Sequence, residues 1–202
     1  MARLKSLGTS LSMALPGLMR KPARISGISL SLNFQFYIAV DSNSCRDSKL
    51  GKILPTGRIV NEVDGASAAC IDVKNPCNFV KASGLDVKGD VLADAIGAHP
   101  TLLKQPNLIR RQAAVAMSIS KAVNLVPGSI LKVAIVSNPY PHKLISGQEV
   151  NEDVCDVLMH TISVGQLHHA VLITVAIVLA ATSRLPDSTV SQCTCKNLVD
   201  PA

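Results

Sequence analysis

Aromatic side chains are almost missing from this sequence: no Trp, two Tyr and three Phe among 202 residues, 2% of the chain. Any core must therefore be built from Val, Ile, Leu and Ala, which the 48% hydrophobic content supplies. The shortage also excludes modules that hold nucleic acid by stacking bases on exposed rings. Paired C-x-x-C spacing is missing as well. The six cysteines, at 45, 70, 77, 155, 193 and 195, lack zinc-ligand spacing, and no secretory signal accompanies them. Reduced thiols in an intracellular protein are expected, with no metal site and no disulfide framework. Cys70 and Cys77 read as small residues in tight strand packing in preference to a redox pair. No apolar run is long enough for a membrane. The uncharged stretch from Ala170 to Ala181 makes a helix of about 18 Å, against a hydrocarbon core of about 30 Å. It predicts a buried helix.

Acids are absent before Asp41, while Arg3, Lys5, Arg20, Lys21 and Arg24 lie in that stretch. Setting those five aside leaves 15 basic residues against 14 acidic ones, so the body is nearly neutral and almost all of the net charge of +6 belongs to the leader. A nucleic-acid footprint on the body is not expected. Residues 1–40, basic and rich in Ser and Leu, resemble a mitochondrial transit peptide or a poorly ordered leader, although Pro16, Gly17 and Pro22 interrupt any amphipathic helix there. The location expected for the body is cytoplasmic, with mitochondrial import as the alternative.

Along the body, Leu32–Val40, Arg58–Val63, Ala69–Val73, Cys77–Ala82 and Leu131–Ser137 have strand composition, with a turn at Lys74–Pro76. Gly51-Lys-Ile-Leu-Pro-Thr-Gly57 is a glycine-bracketed loop. It lacks the order of a phosphate loop, and Pro55 removes a donor, so a turn that presents backbone to a pocket is the better reading. Pro106 opens a helix running to about Ser118. Asn151-Glu-Asp opens another that Gly165 closes, and the long apolar helix then begins near Gln166 and stops before Pro186. The order predicts an α+β domain whose sheet wraps a central apolar helix.

Two adjacent histidines, His168 and His169, sit at the mouth of that apolar segment. On a helix their side chains diverge by about 100°, so one faces a pocket while the other bonds a backbone carbonyl, or both are structural. Gly165, Gln166, His168 and His169 are the candidate binding residues, at a helix end that attracts anions. His160 does not complete a metal triad by spacing, and Asp72 reads as a turn or network residue.

Gly51–Gly57, Cys70-Ile-Asp-Val-Lys-Asn-Pro-Cys-Asn-Phe-Val-Lys-Ala82, Ile109-Arg-Arg-Gln-Ala-Ala-Val-Ala-Met117, Lys132-Val-Ala-Ile-Val136 and Ser163-Val-Gly-Gln-Leu-His-His-Ala170 occur in this order. Together they resemble the C-terminal half of PrpF-type isomerases, a family that includes aconitate and methylaconitate isomerases, methylitaconate isomerases and 4-oxalomesaconate tautomerases. The resemblance implies a diaminopimelate-epimerase-like half: a curved, mostly antiparallel sheet around a central apolar helix. It divides the chain into a leader over 1–40, a PrpF-like half over 41–187 and a tail outside the family pattern over 188–202.

The chemistry implied is a cofactor-independent 1,3-proton shift that moves a carbon–carbon double bond beside the carboxylates of a small unsaturated di- or tricarboxylate. The family's proton-transferring Lys and Cys, in T-S-K and C-G-N contexts, have no counterpart here, so no catalytic residue is assigned. A homo-oligomer or a completing partner is therefore expected. The alternative is a catalytically inactive binding or scaffold protein that keeps a carboxylate half-site. Neither a nucleic acid nor a membrane is expected as partner.

Overall fold

The computed structural model describes residues 50–73, 75–89, 103–143, 147–168 and 171–194, with three short strand segments nearer the start of the chain. Of those segments, Ser12–Met13 (β1) pairs in parallel with Gln35–Phe36 (β3), and Ile25–Ser26 (β2) runs beside the main sheet. Gln35–Phe36 is the only part of the strand expected at 32–40 within the described residues. The rest of residues 1–49, with Cys45 among them, and His169 and Cys195 lie outside them.

The main sheet contains Asn61–Val63 (β4), Ala66–Val73 (β5), Asn75–Lys81 (β6) and Lys132–Ser137 (β7). After a small separate hairpin of His142–Lys143 (β8) and Glu149–Val150 (β9), it continues with Val157–Ser163 (β10) and Gln166–His168 (β11). The order is β11-β10-β7-β6-β5-β4, with β2 beside β10. Its pairings are antiparallel except β6 with β7 and β2 with β10. Two helices complete the described architecture, Lys104–Ala116 (α1) and Ile173–Thr182 (α2). The protein is α+β, with a mostly antiparallel sheet, as the sequence predicts.

Strand alternation sends successive side chains to opposite faces, and two cores result. Ala68, Cys70, Val80, Val133, Ile135 and Ile162 pack with Ile109 and Ala113 of α1 and with Met117, its C-cap. Ala69, Ile71, Cys77, Phe79, Ala134, Val136 and Met159 pack with Val175, Val178 and Leu179 of α2. The strands are buried on both faces, which explains their nearly continuous apolar runs. Cys70 and Cys77 stand on opposite faces and cannot pair. After α2, Thr189 Oγ1 donates to the Phe79 carbonyl at 2.8 Å and fixes the following segment to β6.

Two sequence expectations are corrected. The helix expected between Asn151 and Gly165 is a single short turn, Glu152–Val154, followed by β10, all seven of whose residues are buried. Its run of Val157, Leu158, Met159 and Ile162 has no polar face for a helix to turn outward, and a strand covered on both sides needs none. The long apolar helix does not start near Gln166. Gln166–His168 is β11, and α2 begins at Ile173. Gly165 does not close a helix. Val164 and Gly165 both have positive φ, 55° and 71°, the two-residue connection that fits the twist of a β-hairpin.

Candidate functional site

The hairpin aligns the polar residues of four strands. Cys77 is in register with Lys132, and Ser163 with Gln166. The ammonium of Lys132 donates to Ser163 Oγ at 3.1 Å and joins the two pairs into one row. The next row is Phe79, Ala134, Thr161 and His168. Both rows lie on the α2 face, because Met159 on β10 packs with α2 while Leu167 on β11 packs with the α1 core. Ser163 is buried and Thr161 is 1% exposed; Lys132 and His168 are half-buried. Thr161 Oγ1 and His168 Nε2 are buried with no hydrogen-bond partner among the described residues.

Both strands that carry the Lys132–Ser163 bond begin or end in strained backbone. Leu131, just before Lys132, has φ 62°, and Val164, just after Ser163, has φ 55°. An apolar or β-branched side chain in the left-handed region costs roughly 1–2 kcal/mol. Such strain concentrates where a function holds a particular geometry.

The start of α2 adds electropositive backbone. Its N-cap is Leu172, no side chain caps it, and its first turn carries no acid. Ile173 and Thr174 there are exposed. Leu172 is four positions after His168, a reach of at most about 14 Å. Uncapped N–H groups favour anions. The anion-attracting helix end expected at Gly165–His168 therefore lies further along, at Leu172–Thr174.

Thiols are not reactive in this setting. Burial pushes the Cys77 thiol up to about 12, against a smaller downward pull from Lys132, and pushes Cys70 to about 12 as well. Burial raises Cys193 to about 11, opposed by Lys81. None is a thiolate near neutral pH, so none is a nucleophile or a ready base there.

The other sequence candidates separate cleanly. Gly165 and Gln166 belong to the hairpin beside the Lys132–Ser163 pair, with Gln166 exposed. His169 lies outside the described residues. His160 faces the α1 side, where its Nε2 meets the Gly89 carbonyl at 3.0 Å. Asp72 is a network residue, as expected: its carboxylate accepts the Leu50 N–H at 2.6 Å, and its own N–H donates to Ile53. That ties down the Gly51–Gly57 loop, whose Ile53 and Leu54 pack against the α2 core. Among the described residues no group of three or more His, Cys, Asp or Glu is placed to hold a metal, and no helix is long and apolar enough to cross a membrane.

Lys132, Ser163 and Thr161 were not singled out by the sequence. Their signal was present: Thr161 and Ser163 are polar residues two apart at the end of a mostly apolar run, with His160 on the other face, a pattern that appears only when the run is read as a strand.

Fold and site together define a class: an α+β domain with a cationic, hydroxyl-lined corner beside an uncapped helix, its Cys70, Cys77 and Cys193 thiols raised in pKa by burial. The particular family follows from comparison. The chain belongs to the PrpF protein family, whose model matches residues 21–198. It is 29% identical over 152 residues to a 2-methyl-aconitate isomerase of Shewanella oneidensis, covering 72% of this chain and 38% of that protein. It is 24% identical over 161 residues to a 3-methylitaconate isomerase of Eubacterium barkeri, covering 76% and 42%. The crystal structure of a methylitaconate-delta-isomerase superposes with a TM-score of 0.71 at 23% identity, over 75% of this chain and 42% of that one, and shows the fold. The chain thus spans about two-fifths of the length of these relatives.

Proposed function

We propose that this chain is the carboxylate-binding half of a cofactor-independent allylic isomerase, acting on a small unsaturated di- or tricarboxylate of the methylaconitate or methylitaconate kind. The observation that carries the reading is the half-buried Lys132 ammonium, bonded to Ser163 on the face that α2 covers. A half-buried cation with no carboxylate partner among the described residues suits an anionic ligand. The names of the relatives point to the same substrate class.

In a 1,3-proton shift a base takes a proton from the allylic carbon, charge spreads into the adjacent carboxylate, and an acid returns a proton at the far end of the three-carbon unit. Lys132, Ser163 and the first N–H groups of α2 hold the carboxylate and stabilise the charge that gathers on it. The proton-transferring groups face this corner from a second body. The diaminopimelate-epimerase-like arrangement, with α2 as the central helix, fits the apolar sequence Ile173–Thr182 and its packing against β5 and β6.

A second reading, a binding protein without turnover, is favoured by the burial that raises the pKa of Cys70, Cys77 and Cys193. One experiment separates the readings. The full chain is incubated with cis-aconitate in deuterium oxide, and melting temperature and proton NMR are followed. Ligand at about 100 times Kd stabilises the fold by about 2.7 kcal/mol, and Lys132→Met removes that gain. Deuterium incorporation by the chain alone marks a complete enzyme; binding without exchange marks the half-site. The absence of any melting shift at millimolar ligand sinks both.

A further inference from the structure

We propose that Thr161 and His168 form a second carboxylate point, one row along the sheet from Lys132 and Ser163, so that the corner selects acids with two carboxylates over monocarboxylates. This rests on the carboxylate-binding reading above and assigns a second subsite to it.

Three observations carry it. Thr161 and His168 are direct cross-strand partners on the same face as the Lys132–Ser163 pair. Directly opposed side chains on an antiparallel pair lie within reach of a shared partner. Each also has a buried polar atom without a partner among the described residues, Oγ1 of a threonine only 1% exposed and Nε2 of the histidine. Buried polar groups in native proteins are overwhelmingly bonded, so two adjacent exceptions call for an occupant. Finally, the two points are set by residues two apart on β10, Thr161 and Ser163, about 6.7 Å along a strand. Two carboxylates of a short polycarboxylic acid span that interval, and one does not.

The division of labour follows from charge. Lys132 offers a full positive charge to whichever carboxylate becomes charge-rich. Thr161 Oγ1–H and His168 Nε2–H offer donors that orient the other carboxylate. Beside them in the same row, Ala134 contributes only a methyl group.

Calorimetry with the full chain tests this, using tricarballylate, a saturated tricarboxylate, and butyrate as probes. Tricarballylate binds at least tenfold more tightly than butyrate. Thr161→Val and His168→Asn each weaken tricarballylate about tenfold, equivalent to about 1.4 kcal/mol, and leave butyrate unchanged. Thr161→Ser restores the affinity lost in Thr161→Val, and Lys132→Met weakens both probes. A readout on the unmodified protein guards against misfolded variants: tricarballylate shifts the His168 imidazole nitrogen resonances and butyrate does not. Wild-type tricarballylate affinity in folded Thr161→Val and His168→Asn, with Lys132→Met still impaired, overturns the second point and leaves the single-carboxylate site standing. Failure of tricarballylate to bind the unmodified protein overturns the underlying reading as well.

Discussion

The two faces of the sheet treat their cations in opposite ways. On the α1 side Arg110 is 2% exposed, and its guanidinium is used up internally. It donates to the carbonyls of Pro127 and Ile130 at 2.7 Å each, and to Asn107 Oδ1 at 3.1 and 3.0 Å. Burial, with Arg111 nearby, pulls its pKa below the ordinary value, and it serves as a brace for the loop between α1 and β7. On the α2 side the helix carries no charge at all, yet the strand ends beside it hold Lys132, bonded to Ser163, next to two polar atoms that have no partner among the described residues. Asn61 and Asn78 also leave amide nitrogens unpaired on the α1 side. Their register partners, Ala68, Cys70 and Val133, include no cation to recruit a ligand. A satisfied buried cation reports structure; a cation beside unsatisfied donors reports a binding site.

The largest effect that breaks this contrast is expected on the braced side. Arg110→Met leaves two loop carbonyls without their donor and should destabilise the fold by about 2–4 kcal/mol, while ligand affinity per folded molecule stays the same. Lys132→Met should do the reverse, with little loss or a small gain in stability and a loss of carboxylate binding, the usual exchange at sites built for function. Urea unfolding paired with calorimetry measures both. If Lys132→Met destabilises as much as Arg110→Met, the two faces are alike and Lys132 is structural.

How much of this was legible in the sequence depends on which periodicity each segment obeys. Helix α1 was found because Pro106 and the spacing of Ile109, Ala113 and Met117 mark one face. The strands β5, β6 and β7 were found because turn residues bracket short apolar runs. β10 was misread because a strand buried on both faces loses its alternation and looks like a buried helix. That single error moved the helix start to Gln166, turned a hairpin glycine into a helix stop, and hid Thr161 and Ser163. Lys132 was quoted within a motif, but nothing local marks a lysine as a ligand; its role comes from β10, 31 residues away, supplying Ser163.

The thiols give a prediction of intermediate size. Cys70 and Cys77 are neutral in the folded protein because their pKa values are raised from 9.0 to about 12. An acid whose folded pKa is raised stabilises the fold in full below its unfolded pKa, and the contribution falls as pH climbs toward the folded value. Stability should therefore hold up to about pH 9 and decline from there toward pH 12. Cys70→Ala, on the α1 face, should flatten the decline without touching the site. An equal slope in wild type and variant would remove the thiols from the account.

The smallest effect tests the hairpin itself. Val164 is 63% exposed and sits at φ 55°, so neither burial nor backbone preference favours it there. Asn tolerates that region far better. Val164→Asn should stabilise the fold by roughly 1 kcal/mol, raising the urea midpoint without changing its slope. The informative measurement is affinity. If the strained turn merely tolerates Val164, tricarballylate binding is unchanged and the hairpin is a passive connector. If the strain helps set the angle at which Ser163 meets Lys132, the stabler variant binds more weakly, and stability and binding part company at the turn between the two strands that build the site.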